Sequence, residues 1–291
     1  MENLSKYYAF SSNAIKEKYA YRFKAIMWAL STTFNMLIQY FLWWTIYSET
    51  EGSFLGVDEK NYLAYIAFGV IFYNMTYCME NMNIAEDIKS GNICMNMLKP
   101  FNYKIMVLFR HIGSKIGEII GLIPIFIVVC LMIGQFNIKF SVIICFILSS
   151  ILAFFISFIF SYIIGMITFW TTNYWGVQFL VGSLSGIFSG QMLAINFYTE
   201  LGKGATTLAS VLPFLDYDKL TVFFRALGIM AYCLPFQSMY YTPMSILTGI
   251  IDTPEKIIFH IMLQVMWLIV LNFIADIMWK VAQKKITILG G

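Results

Sequence analysis

Between Phe140 and Thr199 the chain runs 60 residues without one Asp, Glu, Lys or Arg. About 20 apolar residues cross the hydrocarbon core of a bilayer as a helix, so this run predicts two crossings and the turn between them. The turn is read at Thr171, Thr172, Asn173, Tyr174 and Trp175, polar and aromatic residues that favour the membrane–water boundary. A soluble helix needs a polar face, and this stretch offers none. Four further uncharged stretches mark the other spans: Ala25–Ser48, Asn61–Met79, Ile119–Ile138 and Ile257–Ala275. The pattern predicts an all-α, polytopic membrane protein of about six transmembrane helices, folded as one domain over residues 1–291.

One more uncharged stretch, Ala226–Ile251, is long enough to span, but Pro235 and Pro243 interrupt it. Backbone groups left unbonded in lipid are costly, so residues 199–255 are expected to form short extracellular or re-entrant helices instead. At the start of the chain, Leu4, Tyr7, Tyr8, Ala14, Ile15, Tyr19 and Phe23 recur at helical spacing among Lys6, Lys16, Lys18, Arg22 and Lys24. That pattern predicts an amphipathic helix over residues 1–24, lying in the interface against anionic lipid. The plainer alternative is an extension of the first span.

Charge orients the spans. With six crossings both termini share one side with residues 80–118, and that side holds 13 of the 19 Lys and Arg. The positive-inside rule then places both termini in the cytoplasm of a multi-pass cell-membrane protein. Charged residues are 12% of the chain, against about 25% in soluble domains. The net charge of +3 is too small to argue for nucleic acid. The five scattered cysteines read as small buried hydrophobes, with no disulfide framework or metal knuckle.

Two sets of glycines are spaced by four: Gly113, Gly117 and Gly121 near the third span, and Gly182, Gly186 and Gly190 in the fifth. Such spacing puts each set on one helix face, where bare backbone admits a close neighbour. That neighbour is expected within the chain or across a subunit interface.

Candidate chemistry is sparse. His111 and His260 are far apart, which excludes an H-E-x-x-H metalloprotease helix. The string Gly202-Lys203-Gly204 fails the phosphate-loop pattern, with Phe197 in place of its first Gly and Gly204 in place of Ser or Thr. No catalytic residue and no metal site are predicted. Asp276 and Lys280, four apart at one end of the last span, are expected to pair, and Lys115 and Glu118 lie outside the third span. Asn35, Gln39, Gln178 and Gln191 are polar points within spans, expected mostly to bond between helices. A proton-coupled carrier would bury a carboxylate near the midplane, and its absence from the pattern points to energy supplied from outside the chain.

The loop between spans two and three, residues 80–104, is long and charged. Glu86-Asp87-Ile88-Lys89 begin a short helix, Ser90-Gly91 interrupts it, and Leu98-Lys99-Pro100 closes the segment. At these residues the chain resembles the permease subunits of type-2 ABC exporters, in the branch with small six-helix permeases and a separate ATPase. Tyr21-Arg22-Phe23, the Pro-broken segment before the last span and the terminal Gly290-Gly291 add to the likeness. The resemblance implies a non-catalytic half-transporter that forms the substrate route with a second permease, either a copy of itself or a sister subunit. It implies that Glu86–Gly91 and Leu98–Pro100 form a cytoplasmic coupling loop against an ABC ATPase, which would hold the ATP and Mg. The competing readings are an ion-driven carrier, or a membrane-embedded enzyme using Glu118, His111 or Asp276.

Overall fold

The computed structural model describes residues 4–49, 53–54, 57–134, 138–171, 174–201 and 217–289. Helices account for nearly all of them. In chain order they are α1 Leu4–Ala20, α2 Arg22–Glu49, α3 Glu59–Thr76, α4 Glu80–Lys89, α5 Asn92–Met97, α6 Tyr103–Ile133, α7 Phe140–Met166, α8 Tyr174–Phe188, α9 Ile195–Leu201, α10 Tyr217–Cys233, α11 Phe236–Met239, α12 Tyr241–Leu247 and α13 Pro254–Leu289. A two-residue hairpin, β1 Ser53–Phe54 with β2 Val57–Asp58, precedes α3. Sequence reasoning had no signal for so short a ladder.

The side chains are distributed as a bilayer demands. Phe34, Ile38, Phe41 and Leu42 on α2, and Met262, Ile269 and Phe273 on α13, point outward and are exposed. Hydrogen-bonding groups turn inward: Gln264 on α13 donates to the Ser149 and Ser238 carbonyl oxygens and accepts from the Ser149 hydroxyl at 2.9 Å. In hydrocarbon, apolar surface is no drive for helix association, so such interhelical bonds and close packing hold the bundle. α7 is the central helix, with its second half buried from Ile156 to Met166 except for Phe160.

Among the described residues four helices are long and apolar enough to cross a membrane, over Phe23–Glu49, Glu59–Lys89, Phe140–Phe169 and Pro254–Lys285. The bent pair Tyr103–Ile119 and Gly121–Ile133 makes a fifth if counted as one span. The second crossing expected within residues 140–199 falls on α8, which lies outside this set. α8 has 15 residues, about 22 Å at 1.5 Å per residue, short of a hydrocarbon core of about 30 Å. It stops because Gly190 takes φ +85°, a left-handed conformation that turns the chain back under Tyr65 and Tyr241.

The 54° bend in α6 has an evident cause. Pro124 lies inside the helix and has no N–H for the Ile120 carbonyl four residues earlier. The break between α1 and α2 runs beside it, with Lys18 against Gly117 and Trp28 against Gly121. α1 therefore lies along the first half of α6 and α2 along the second. Between Cys233 and Tyr241 the chain breaks at Pro235 and Tyr240 into short helices, and Pro243 sits in the first turn of α12, where its missing N–H costs nothing.

One end of the bundle gathers the start of α1, the α4–α5 segment, the start of α6 and the ends of α7 and α13. Tyr7 meets Phe101, Tyr103 stacks on Trp279 with centroids 5.4 Å apart, and Lys285 lies over Trp170.

Candidate functional site

α4 and α5 form a bent arm across that end. α4 begins three residues after α3 and stops at Ser90; Gly91, at φ +76°, lets the chain reverse into α5. Apolar anchors hold the arm down. Ile84, Ala85 and Ile93 are buried, and Ile84 lies so close to Gly165 of α7 that a Cβ there would sit 2.8 Å from it.

Charge fixes the arm sideways to α6. The Arg110 Nε donates to the Glu80 carboxylate at 2.8 Å, and the Asn83 amide donates to the same oxygen. The Tyr103 hydroxyl donates to Asp87 at 2.8 Å, while Arg110 Nη1 stands 3.9 Å from that carboxylate. Glu80 and Asp87 are seven residues apart, two turns on one helix face, so both reach α6. The Glu80 side chain is 5% exposed. A carboxylate so buried is tolerated because it is paired and bonded. At the start of the arm, Asn81 N–H donates to the Ser161 hydroxyl at 2.9 Å, and its amide donates to Gln178 of α8.

Among the described residues nothing covers the opposite face. Glu86, Lys89, Ser90, Gly91, Lys99 and Pro100 are exposed, and among them Met95 and Leu98 are 63% and 84% exposed. The nine residues expected to couple to an ATPase thus divide by side. Asp87 and Ile88 are partly buried, with Asp87 bonded inward; the other seven face out. Met95 was missed in the sequence, where a lone methionine in a loop carries no pattern.

The glycine sets fare differently. A Cβ on Gly113 would overlap the Ser11 backbone, one on Gly117 would lie 3.0 Å from Lys18 Cβ, and one on Gly121 3.2 Å from the Trp28 ring. This face receives α1 and α2 of the same chain. Gly182, by contrast, faces open space, Gly186 touches Met192, and Gly190 lies beyond the end of α8. The second set therefore does not share one helix face; this is a correction, and the cause is the turn at Gly190.

The expected ion pair of Asp276 with Lys280 is also corrected. Asp276 accepts from Lys104 at 2.9 Å instead of from Lys280, because α6 enters beside the end of α13 and brings a nearer cation. Glu118 is shared by Lys115 at 2.9 Å and Lys18 at 2.6 Å, which ties α1 to α6, and Lys115 also donates to the Asn74 carbonyl of α3. His111 is buried against the rings of Phe154 and Phe158. Among the described residues these three acid–base groups make no hydrogen bond to one another. Asn35 and Gln39 bond to each other on an outward face of α2. Among the described residues no group of three His, Cys, Asp or Glu side chains could hold a metal ion. The Gly202–Thr206 string and Gly290-Gly291 lie outside the described residues.

A sequence profile of the family described as ABC-2 family transporter protein matches residues 33–216, from within α2 through α9 and including the whole α4–α5 arm. No curated protein and no solved structure matches the chain.

Proposed function

The chain belongs to the ABC-2 transporter family and is a transmembrane, multi-pass subunit of an ABC transporter; from that premise we propose that it is the non-catalytic permease of an exporter, driven by a separate ATPase that docks on the α4–α5 arm. In this reading the partner binds ATP and Mg, both termini of the permease are cytoplasmic, and a second permease, identical or sister, completes the substrate route. The observation that carries the proposal is the two-sidedness of the arm: it is bolted inward through Glu80, Asp87 and Ile84, while Met95 and Leu98 stand bare among Glu86, Lys89 and Lys99. Exposed apolar side chains ringed by charge mark interaction surfaces.

A push on such an arm reaches the bundle in three places: α6 through Arg110, α7 through Gly165 and Ser161, and α8 through Gln178. Nucleotide-driven closure of the ATPase would thereby shift the packing between two states, and a ligand would respond only if its affinity for them differs.

The test is co-purification of the tagged chain with an ATPase that hydrolyses ATP in the complex. Leu98→Asp and Met95→Asp are expected to abolish the association while leaving the permease folded in the membrane, because both side chains already face solvent. Glu86→Lys is expected to weaken it. Asp87→Lys is a poorer probe, since it also breaks the bond from Tyr103. Unchanged association in the Leu98 and Met95 variants would reject the docking surface.

A further inference from the structure

Just before the bend of α6 a groove runs between α3, α6 and α7. Met75, Ile112, Lys115, Ile116, Ile119 and Phe154 line it, and it offers about 270 Å³. It opens sideways to the bilayer, because Met75, Ile116 and Ile119 are 44%, 47% and 42% exposed. Enclosed small-molecule sites usually hold about 300–1,000 Å³. A smaller groove that is open along its length suits part of a longer molecule, the rest of which stays in the bilayer.

The charged residue in its wall is Lys115. The ammonium donates to the Asn74 carbonyl at 2.7 Å and to Glu118 at 2.9 Å. Asn74 carries one of the last four carbonyls of α3, so this charge stands at the end of a membrane span, where lipid headgroups begin. An ammonium has three N–H donors, and these two bonds leave one. Glu118 is not its private counter-ion, because the same carboxylate accepts from Lys18 at 2.6 Å. Two cations on one carboxylate leave a net charge of +1. The Lys115 side chain keeps 18% of its surface exposed, within reach of an anion at the membrane boundary.

From Lys115 the apolar wall continues along α6 toward the bilayer interior. Ile116 and Ile119 share that helix face, at one and four residues, and Phe154 of α7 stands across from them. A cation at headgroup level with an apolar trough running inward from it is the complement of an anionic phospholipid.

We propose that the groove holds one anionic phospholipid of the leaflet on the arm's side. A phosphate oxygen accepts the remaining N–H of Lys115, and one acyl chain lies along Ile116, Ile119 and Phe154. A zwitterionic lipid carries its own cation and gains less from Lys115. The bound lipid joins α3, α6 and α7 at the level where Glu118 ties α1 to α6. The site stands without the transporter reading; only the naming of that leaflet as cytoplasmic rests on it.

The test uses the full chain, delipidated in dodecyl maltoside without any ATPase, so a failure of docking leaves it unaffected. It is titrated with dioleoylphosphatidylglycerol or dioleoylphosphatidylcholine and read by native mass spectrometry. Wild type is expected to bind a first phosphatidylglycerol at least fivefold more tightly than phosphatidylcholine, as one lysine near the surface supplies. Ile269→Trp, on the outward face of α13, should behave the same. Lys115→Met should erase the preference. Ile116→Trp should weaken the first lipid at least tenfold by filling the groove; it leaves the bonds of Lys115 in place and decides the matter if Lys115→Met unsettles α3. Glycerophosphoglycerol, the same headgroup without chains, should not displace the lipid. Equal binding of the two lipids by wild type, an unchanged first lipid in Ile116→Trp, or displacement by the chainless headgroup, the mark of a free-phosphate site, would overturn the proposal. So would a dimer mass that binds no lipid and that Ile116→Trp splits, since a second copy would then fill the groove.

Discussion

Arg110→Ala is expected to free the α4–α5 arm while leaving the membrane helices in place. The substitution strands the Glu80 carboxylate, 5% exposed, without its cation. Breaking a buried pair by removing one partner costs about 3–5 kcal/mol, because the remaining charge is neither solvated nor neutralised. Asp87 keeps its bond from Tyr103, so the arm pivots instead of unfolding outright. Amide exchange across residues 81–98 in the purified chain should rise about a hundredfold or more, at about 1.4 kcal/mol per factor of ten. Exchange in residues 256–270 of α13 should stay as in wild type. Arg110→Lys keeps the charge but loses the planar fork, and an intermediate rise is expected. The paired exchange Glu80→Arg with Arg110→Glu should recover part of the protection. An arm as protected in Arg110→Ala as in wild type would show that the Glu80–Arg110 pair does not hold it.

The second large effect is at Gly113. A leucine there has to displace the backbone of Ser11, which no rotamer can avoid. Overpacking costs about 1–3 kcal/mol where side chains can yield, and backbone yields less. α1 should therefore leave α6, losing the bond from Ser11 to the Phe109 carbonyl and the ion pair of Lys18 with Glu118. The readout is trypsin cleavage at Lys16 and Lys18 in the reconstituted protein, slow in wild type and fast in Gly113→Leu. Gly117→Leu should act less strongly, because it meets the Lys18 side chain first, and Gly121→Leu least, because the Trp28 ring can turn. Equal cleavage of all four proteins would mean that α1 does not depend on the glycine face.

What could be read from the sequence follows from which forces are local. The spans were legible because crossing a bilayer is decided by composition over about 20 residues, and Ile257–Ala275 or Phe140–Ile164 satisfy it without help from any neighbour. The glycine face of α6 was legible as a close contact, yet its occupant was not, since nothing in Gly113, Gly117 and Gly121 names Ser11, Lys18 and Trp28. Gly190 was grouped with Gly182 because a glycine that admits a neighbour and a glycine that ends a helix look alike in sequence. Pro124 carried a usable signal for the bend at Ile120 that went unread.

Ion pairs were the least legible feature. Asp276 and Lys280 are neighbours along the chain, but a tertiary partner, Lys104, reaches the carboxylate first. Glu80 and Arg110 are 30 residues apart, and only the packing of α4 across the base of α6 brings them together. The loop itself was found from its residues and its resemblance to known permeases. Its division into a bolted inner face and a bare outer face belongs to the fold.

The account depends most on the compartment into which the outer face of the arm looks. In a variant with its five cysteines replaced by serine, Ser90→Cys supplies one exposed thiol at the tip of the arm. Treated in intact cells, it should react with a membrane-permeant maleimide and not with an impermeant sulfonated one, which should label it only after the cells are opened. Labelling of Cys at that position by the impermeant reagent in sealed cells would put the arm outside, beyond the reach of any ATPase, and would contradict the account.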